Sequence, residues 1–191
     1  MVAPVAVGDA YGGGVVAYIL QPGDFFYSPT EQHALIAASA DQPVSGLGVQ
    51  WATKPYLSRY VPGATGTFIG TGSFNTDNIV RQNGPGSSYA AGLARAYRGG
   101  GYSDWYLPSR DELDKLYRNR AAIGGFVTAS AGYPLYWSSS EYGVGQAYDR
   151  AWFQDFGNGG RFDNPKSLTA RVRAVRSLIV PLLPTHLPTC P

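Results

Sequence analysis

The side chains best suited to chemistry in this 191-residue chain are few, and their spacing does not support catalysis. Ser138, Ser139 and Ser140 form a run of possible nucleophiles, but the two histidines, His33 and His186, lie far from them in sequence. No Gly-x-Ser-x-Gly elbow surrounds the run, and a strand serine ordinarily satisfies nearby backbone groups. Asp111, Glu112 and Asp114 are a dense set of carboxylates. They fall on the first turns of a predicted helix, where negative charge complements the helix dipole, and that accounts for them better than acid–base catalysis does. His33, His186 and Cys190 show none of the spacings a zinc site needs. The chain is therefore not read as an enzyme, and no metal or cofactor is expected.

Arg171, Arg173 and Arg176 could hold phosphate. The formal net charge of +2 is too small to suggest nucleic acid by itself, and no nucleic-acid partner is expected. Ion pairs with Asp104, Asp111, Glu112 or Glu141 at a sheet edge are the expected role of these arginines. Cys190 is the single cysteine, so no intrachain disulfide can form.

The elements that must position these groups follow from composition and pattern. Hydrophobic residues make up 44% of the chain and charged residues 15%, with 25 glycines and 14 tyrosines. Short strands, many turns and aromatic packing are expected, in one domain over residues 1–180. Val5 to Leu20 reads as a strand pair around Gly12-Gly13-Gly14, and His33 to Ala38 as a buried strand. Helices are predicted from Asn75, over Ser88 to Tyr97, and from Ser109, which stands three residues before Glu112 in a capping box. Leu113, Leu116 and Tyr117 form the buried stripe of that helix. Strands follow at Tyr136–Glu141, Ala147–Phe156 and Arg171–Leu178, with a turn at Gly157–Gly160. The order is an α+β pattern without disulfides. The segment 181–191 is proline-rich and expected to be loosely ordered. No signal peptide or transmembrane segment is read, so no membrane insertion is expected, and the compartment stays open.

Several segments together carry a family resemblance. Gly101-Tyr-Ser-Asp-Trp-Tyr-Leu-Pro-Ser109 with Asp111-Glu-Leu113 resembles the signature of a bacterial and phage domain family with a C-type lectin-like fold. Thr65-Gly-Thr, Ile69-Gly-Thr-Gly72, Tyr136-Trp-Ser-Ser-Ser-Glu-Tyr142 and Arg171-Val-Arg-Ala-Val-Arg176 resemble the segments around it. Within that family the closing part is similar to the variable proteins of diversity-generating retroelements, which diversify residues encoded by adenine-containing template codons. The resemblance implies a frame that includes Glu141, Ala151, Trp152, Gln154, Phe156, Asn158, Lys166 and Arg171, with displayed residues between. The implied displayed residues are Gly143, Val144, Gly145, Gln146, Tyr148, Asp149, Arg150, Phe153, Asp155, Gly157 and Gly160. Arg161, Phe162, Asp163, Pro165, Ser167, Leu168, Thr169 and Ala170 continue the set. Each is reachable from an Asn or Gln template codon, a permissive test.

The resemblance implies a variable ligand-binding surface over 143–170, supported by Trp105, Trp137, Trp152, Phe156 and Arg171, with a protein or cell-surface target. Tyr148, Phe153 and Phe162 are the expected aromatic anchors. Phe162→Ala is expected to weaken binding and leave the fold intact. A non-diversified adhesion or structural domain of the same family, with carbohydrate or matrix as partner, is the other reading. Formylglycine-generating enzymes share the fold but need a cysteine pair that this chain lacks.

Overall fold

The computed structural model describes residues 4–42, 46, 48–129, 133–143 and 148–181. The nine strands found there are β1 (Ala10–Tyr11), β2 (Gly14–Ile19), β3 (Gln32–Ala37), β4 (Val49–Gln50), β5 (Leu135–Glu141), β6 (Arg150–Asp155), β7 (Arg161–Pro165), β8 (Thr169–Ala170) and β9 (Val175–Val180). The helices are α1 (Gly72–Asn83), α2 (Ala90–Ala96), α3 (Arg110–Arg118) and α4 (Arg120–Ile123). The fold is mixed α+β, with short helices between two groups of strands.

The strands form an antiparallel sheet ordered β1-β2-β3-β9, a second ordered β5-β6-β7, and the small pair β4-β8. Gly12 and Gly13 join β1 to β2 with φ of 59° and 83°. A two-residue hairpin whose central residues both have positive φ matches the twist of its strands, and glycine takes that conformation without strain. Register irregularities between Val16 and Tyr18 and between Trp137 and Glu141 curl the two larger sheets.

Ser109 caps α3 through the reciprocal box expected of it, its side chain accepting from Glu112 N while the Glu112 carboxylate accepts from Ser109 N. Leu113 and Leu116 are buried and Tyr117 packs against the same cluster. That cluster joins α3 and α4 to Leu35, Tyr106, Tyr136, Phe156 and Val175. A larger cluster gathers Trp51, Trp105, Leu107, Trp137, Phe153 and Val172.

Several elements differ from expectation. Helix α1 begins at Gly72, three residues before Asn75, and α2 is shorter than Ser88–Tyr97. The last strand runs Val175–Val180 because Arg171 and Val172 make isolated bridges to Tyr136 and Gln42 instead of a continuous ladder. Strand β7 has no counterpart in the sequence reading. It lies at the edge of its sheet with one partner, so its exposed face imposes no apolar alternation. The expected tail lies outside the described residues from 182 onward. Among the described residues no helix is long and apolar enough to cross a membrane.

Candidate functional site

The apolar depression nearest the sequence-marked surface lies where β5, β6 and β7 meet β8. Trp137 on β5 and Phe153 on β6 are register partners, and their rings meet edge to face with centroids 6.1 Å apart. They floor a groove of about 260 Å³ whose rim includes Tyr133, Asn164, Leu168 and Thr169. Trp137 is held from behind, its indole Nε1 donating to Val49 O at 3.0 Å. Tyr133 has φ of 51°, a conformation few non-glycine residues adopt, and its ring is exposed. Phe162 on β7 extends the aromatic line, its ring 5.8 Å from that of Phe153. A mostly apolar concavity with a few polar rim groups suits a ligand with both apolar and hydroxyl- or amide-bearing faces.

A buried ion pair holds this face in place. Lys166 and Glu141 have fully buried side chains, and Lys166 Nζ lies 2.5 Å from Glu141 Oε1. Nζ also donates to Arg59 O at 2.8 Å and sits 4.7 Å from the centre of the Trp51 ring. Glu141 Oε2 accepts from Val61 N at 2.9 Å. Burial raises the Glu141 carboxyl above its usual range, opposed by Lys166, and lowers the Lys166 ammonium, opposed by Glu141. The pair ties the turn after β7 to the end of β5, the two strands that carry Asn164 and Trp137 of the groove.

The arginines are structural. Arg173 is fully buried, pairs with Asp41, and donates to the carbonyls of Ala38, Gly124 and Gly125. Arg171 pairs with Asp41 at 3.5 Å. Arg176 makes a two-pronged contact with Asp104 at 2.8 and 2.9 Å and lies over the Tyr102 ring. Of the expected carboxylate partners only Asp104 is used in this way. Asp41 takes the others because the bridge between Gln42 and Val172 brings it beside Arg171 and Arg173, a long-range pairing with no local signal.

The serines are committed to the scaffold. Ser138 Oγ donates to Trp152 O at 2.8 Å, Ser140 Oγ donates to Gly66 O at 2.6 Å, and Ser139 Oγ accepts from Asn75 at 3.3 Å. All three are buried. Among the described residues no group of three or more His, Cys, Asp or Glu could hold a metal ion.

The residues singled out from sequence divide in three. Gly143, Tyr148, Asp149, Gly157, Arg161, Phe162, Ser167, Leu168 and Thr169 are exposed. Arg150, Asp155, Gly160, Asp163 and Pro165 are half-buried, with Arg150 paired to Asp163. Phe153 and Ala170 are buried, a correction to their expected display: β6 turns Phe153 onto Trp137, and β8 packs Ala170 against β4. Val144, Gly145 and Gln146 lie outside the described residues. Of the supporting set, Trp105, Trp137 and Phe156 are buried, whereas Trp152 is half-buried between Arg110 and Tyr142 and Arg171 is half-buried. Tyr133, Leu135 and Asn164 line the groove without having been marked. An aromatic residue beside Pro134 in a loop was the available signal for Tyr133.

The fold and the site define a mixed α+β domain with an apolar groove beside β5, β6 and β8 and with its central serines bonded into the scaffold. Residues 46–176 match the family model of the Lcl C-terminal domain, and the chain belongs to that family. No curated protein matches the chain. The family match overturns the assignment to retroelement variable proteins and to their C-type lectin-like family. A surface open to unrestricted diversification also sits poorly with Phe153 and Ala170 in the core and with Arg150 paired to Asp163. The codon test failed to discriminate because most residue types satisfy it.

Proposed function

We propose that this domain is an adhesion module that holds a carbohydrate or matrix ligand in the groove above Trp137 and Phe153. The observation that carries the reading is that groove, with an exposed tyrosine and leucine on its rim. The family is named for a collagen-like adhesin, which agrees with a binding role. Aromatic and aliphatic rim groups supply contact area at low entropic cost, and Asn164 and Thr169 supply orientation.

The test is binding of the 191-residue protein to immobilised glycans and matrix proteins, alongside Leu168→Asp, Tyr133→Ala and Phe162→Ala. Leu168→Asp is expected to abolish binding, and Tyr133→Ala to weaken it roughly tenfold, in keeping with the loss of an aromatic anchor. Phe162 is 51% exposed, so Phe162→Ala leaves the thermal midpoint nearly unchanged and weakens binding less. Binding that survives Leu168→Asp in the folded protein would place the ligand elsewhere.

A further inference from the structure

A second surface, away from the groove, combines two unusual features. Phe25, Phe26, Phe68 and Phe74 are each 54–71% exposed and gather around the segment from Phe68 to Phe74. The rings of Phe25 and Phe26 lie 4.7 Å apart, and a Cβ added at Gly70 would meet both residues. Phe26 has φ of 68°, so the backbone accepts an unfavourable conformation while its ring stays in solvent. At roughly 200 Å² for a whole ring side chain, these four residues present about 500 Å² of apolar surface. That lies at the upper end of what monomers expose, and it approaches the apolar core of a standard interface of about 800 Å² per partner.

Strand β9 runs beside this patch and is the edge of the four-stranded sheet. Alternation along an antiparallel strand sends the backbone groups of one residue in two to each side. Ala38 N donates to Ala174 O, and Val175 exchanges both its bonds with Tyr106, so even-numbered residues face β3 and odd-numbered ones face outward. Among the described residues no backbone bond from outside the strand reaches Ser177 or Ile179 on that outer side. Both side chains are exposed. Two depressions of about 220 and 280 Å³ share Phe26, Gly70 and Ser177 as walls, so patch and strand edge are one surface.

We infer that this surface is a self-association site at which two copies pair β9 with β9 about a twofold axis. An isologous contact needs protruding and receiving features on one patch, and here the phenylalanines protrude beside apolar depressions. A register centred on Leu178 sets Ser177 of one copy against Ile179 of the other, so that all their outward N–H and C=O groups are bonded. The ladder stops at Ser177, because Tyr106 already occupies the outer side of Val175, and Pro181 of the other copy, which has no N–H, turns away from the seam there. The two sheets then join into one eight-stranded sheet, with the phenylalanines of each copy flanking the seam.

The experiment is sedimentation equilibrium of the 191-residue protein up to about 100 μM, with amide hydrogen exchange at Ser177 and Ile179. Ile179→Pro removes an N–H that faces away from β3, so the ladder within the sheet is kept, and Phe74→Asp places charge in the patch. Wild type is expected to dimerise, with protection of the Ser177 and Ile179 amides rising with concentration. Both variants are expected to weaken the dimer at least about tenfold while retaining the wild-type circular dichroism spectrum. A wild-type monomer at the highest concentration overturns the inference. Concentration-independent protection also overturns it, because a segment of the same chain would then cover the edge. A dimer unaffected by Phe74→Asp places the contact on another face.

Discussion

Replacing Lys166 by methionine removes the cation from a pair whose two side chains are both fully buried. Glu141 keeps its bond from Val61 N but loses the ammonium 2.5 Å away, and Arg59 O loses its donor. Removing one partner of a buried pair costs about 3–5 kcal/mol, because an uncompensated charge stays in a low-dielectric setting. For a chain of this length that lowers the thermal midpoint by roughly 10 °C or somewhat more. The loss depends on pH. Without Lys166, the already raised Glu141 carboxyl rises further, so the folded variant holds a proton that the unfolded chain releases near pH ~4.3. The folded state then binds more protons than the unfolded one, and the variant's stability falls as pH rises from that point through the raised folded pKa. Urea unfolding at pH 5 and pH 7.5, in roughly those two conditions relative to wild type, should show the larger deficit at the higher pH. The double variant Lys166→Met/Glu141→Gln should lie within about 1 kcal/mol of wild type and lack the slope, since both charges are gone. A Lys166→Met deficit below about 1 kcal/mol at both pH values would refute the view that this pair anchors the groove.

Glu112 carries a second pH dependence: burial pushes its carboxyl up to about 7, against the lowering effect of bonds from the Ser109 and Gly70 backbones. Its folded pKa exceeds its unfolded value, so wild-type stability should decline by about 3 kcal/mol between pH 4.5 and about 7, and Glu112→Gln should flatten that decline in urea titrations. Gly48 has φ of 98°, and an added Cβ would lie 1.9 Å from Ala170 O. Gly48→Ala should therefore cost at least about 2 kcal/mol in a thermal melt and reduce ligand binding by separating β8 from β4.

The groove and its support were only partly legible before the fold was known. Ser109 and Glu112 stand three residues apart, so the capping box and the start of α3 are local facts, and the structure reproduces them. Trp105, Trp137 and Phe156 read as core because large aromatic groups gain most from burial, and they are buried. The run 143–170 was marked as a surface, yet it mixes roles that depend on pairing across strands. Phe153 and Phe162 look alike in sequence. They are register partners on β6 and β7, but Phe153 packs on Trp137 while Phe162 is half exposed. The family was misjudged for a related reason, since shared packing motifs describe a scaffold and leave the use of its surface open.

Composition, the single cysteine and the local patterns determined that this chain is an α+β domain without an intrachain disulfide, with helix α3 capped and Trp105, Trp137 and Phe156 inside. These follow from interactions between residues close in sequence, or from properties of single residues. Tertiary structure alone decided that Asp41 serves Arg171 and Arg173 across more than 120 positions, that Lys166 meets Glu141 in the interior, and that Tyr133 completes the rim of the groove. It also decided that four phenylalanines stay in solvent beside an open strand edge. Contacts between distant segments depend on strand order and register, and a linear pattern carries neither until the chain has closed upon itself.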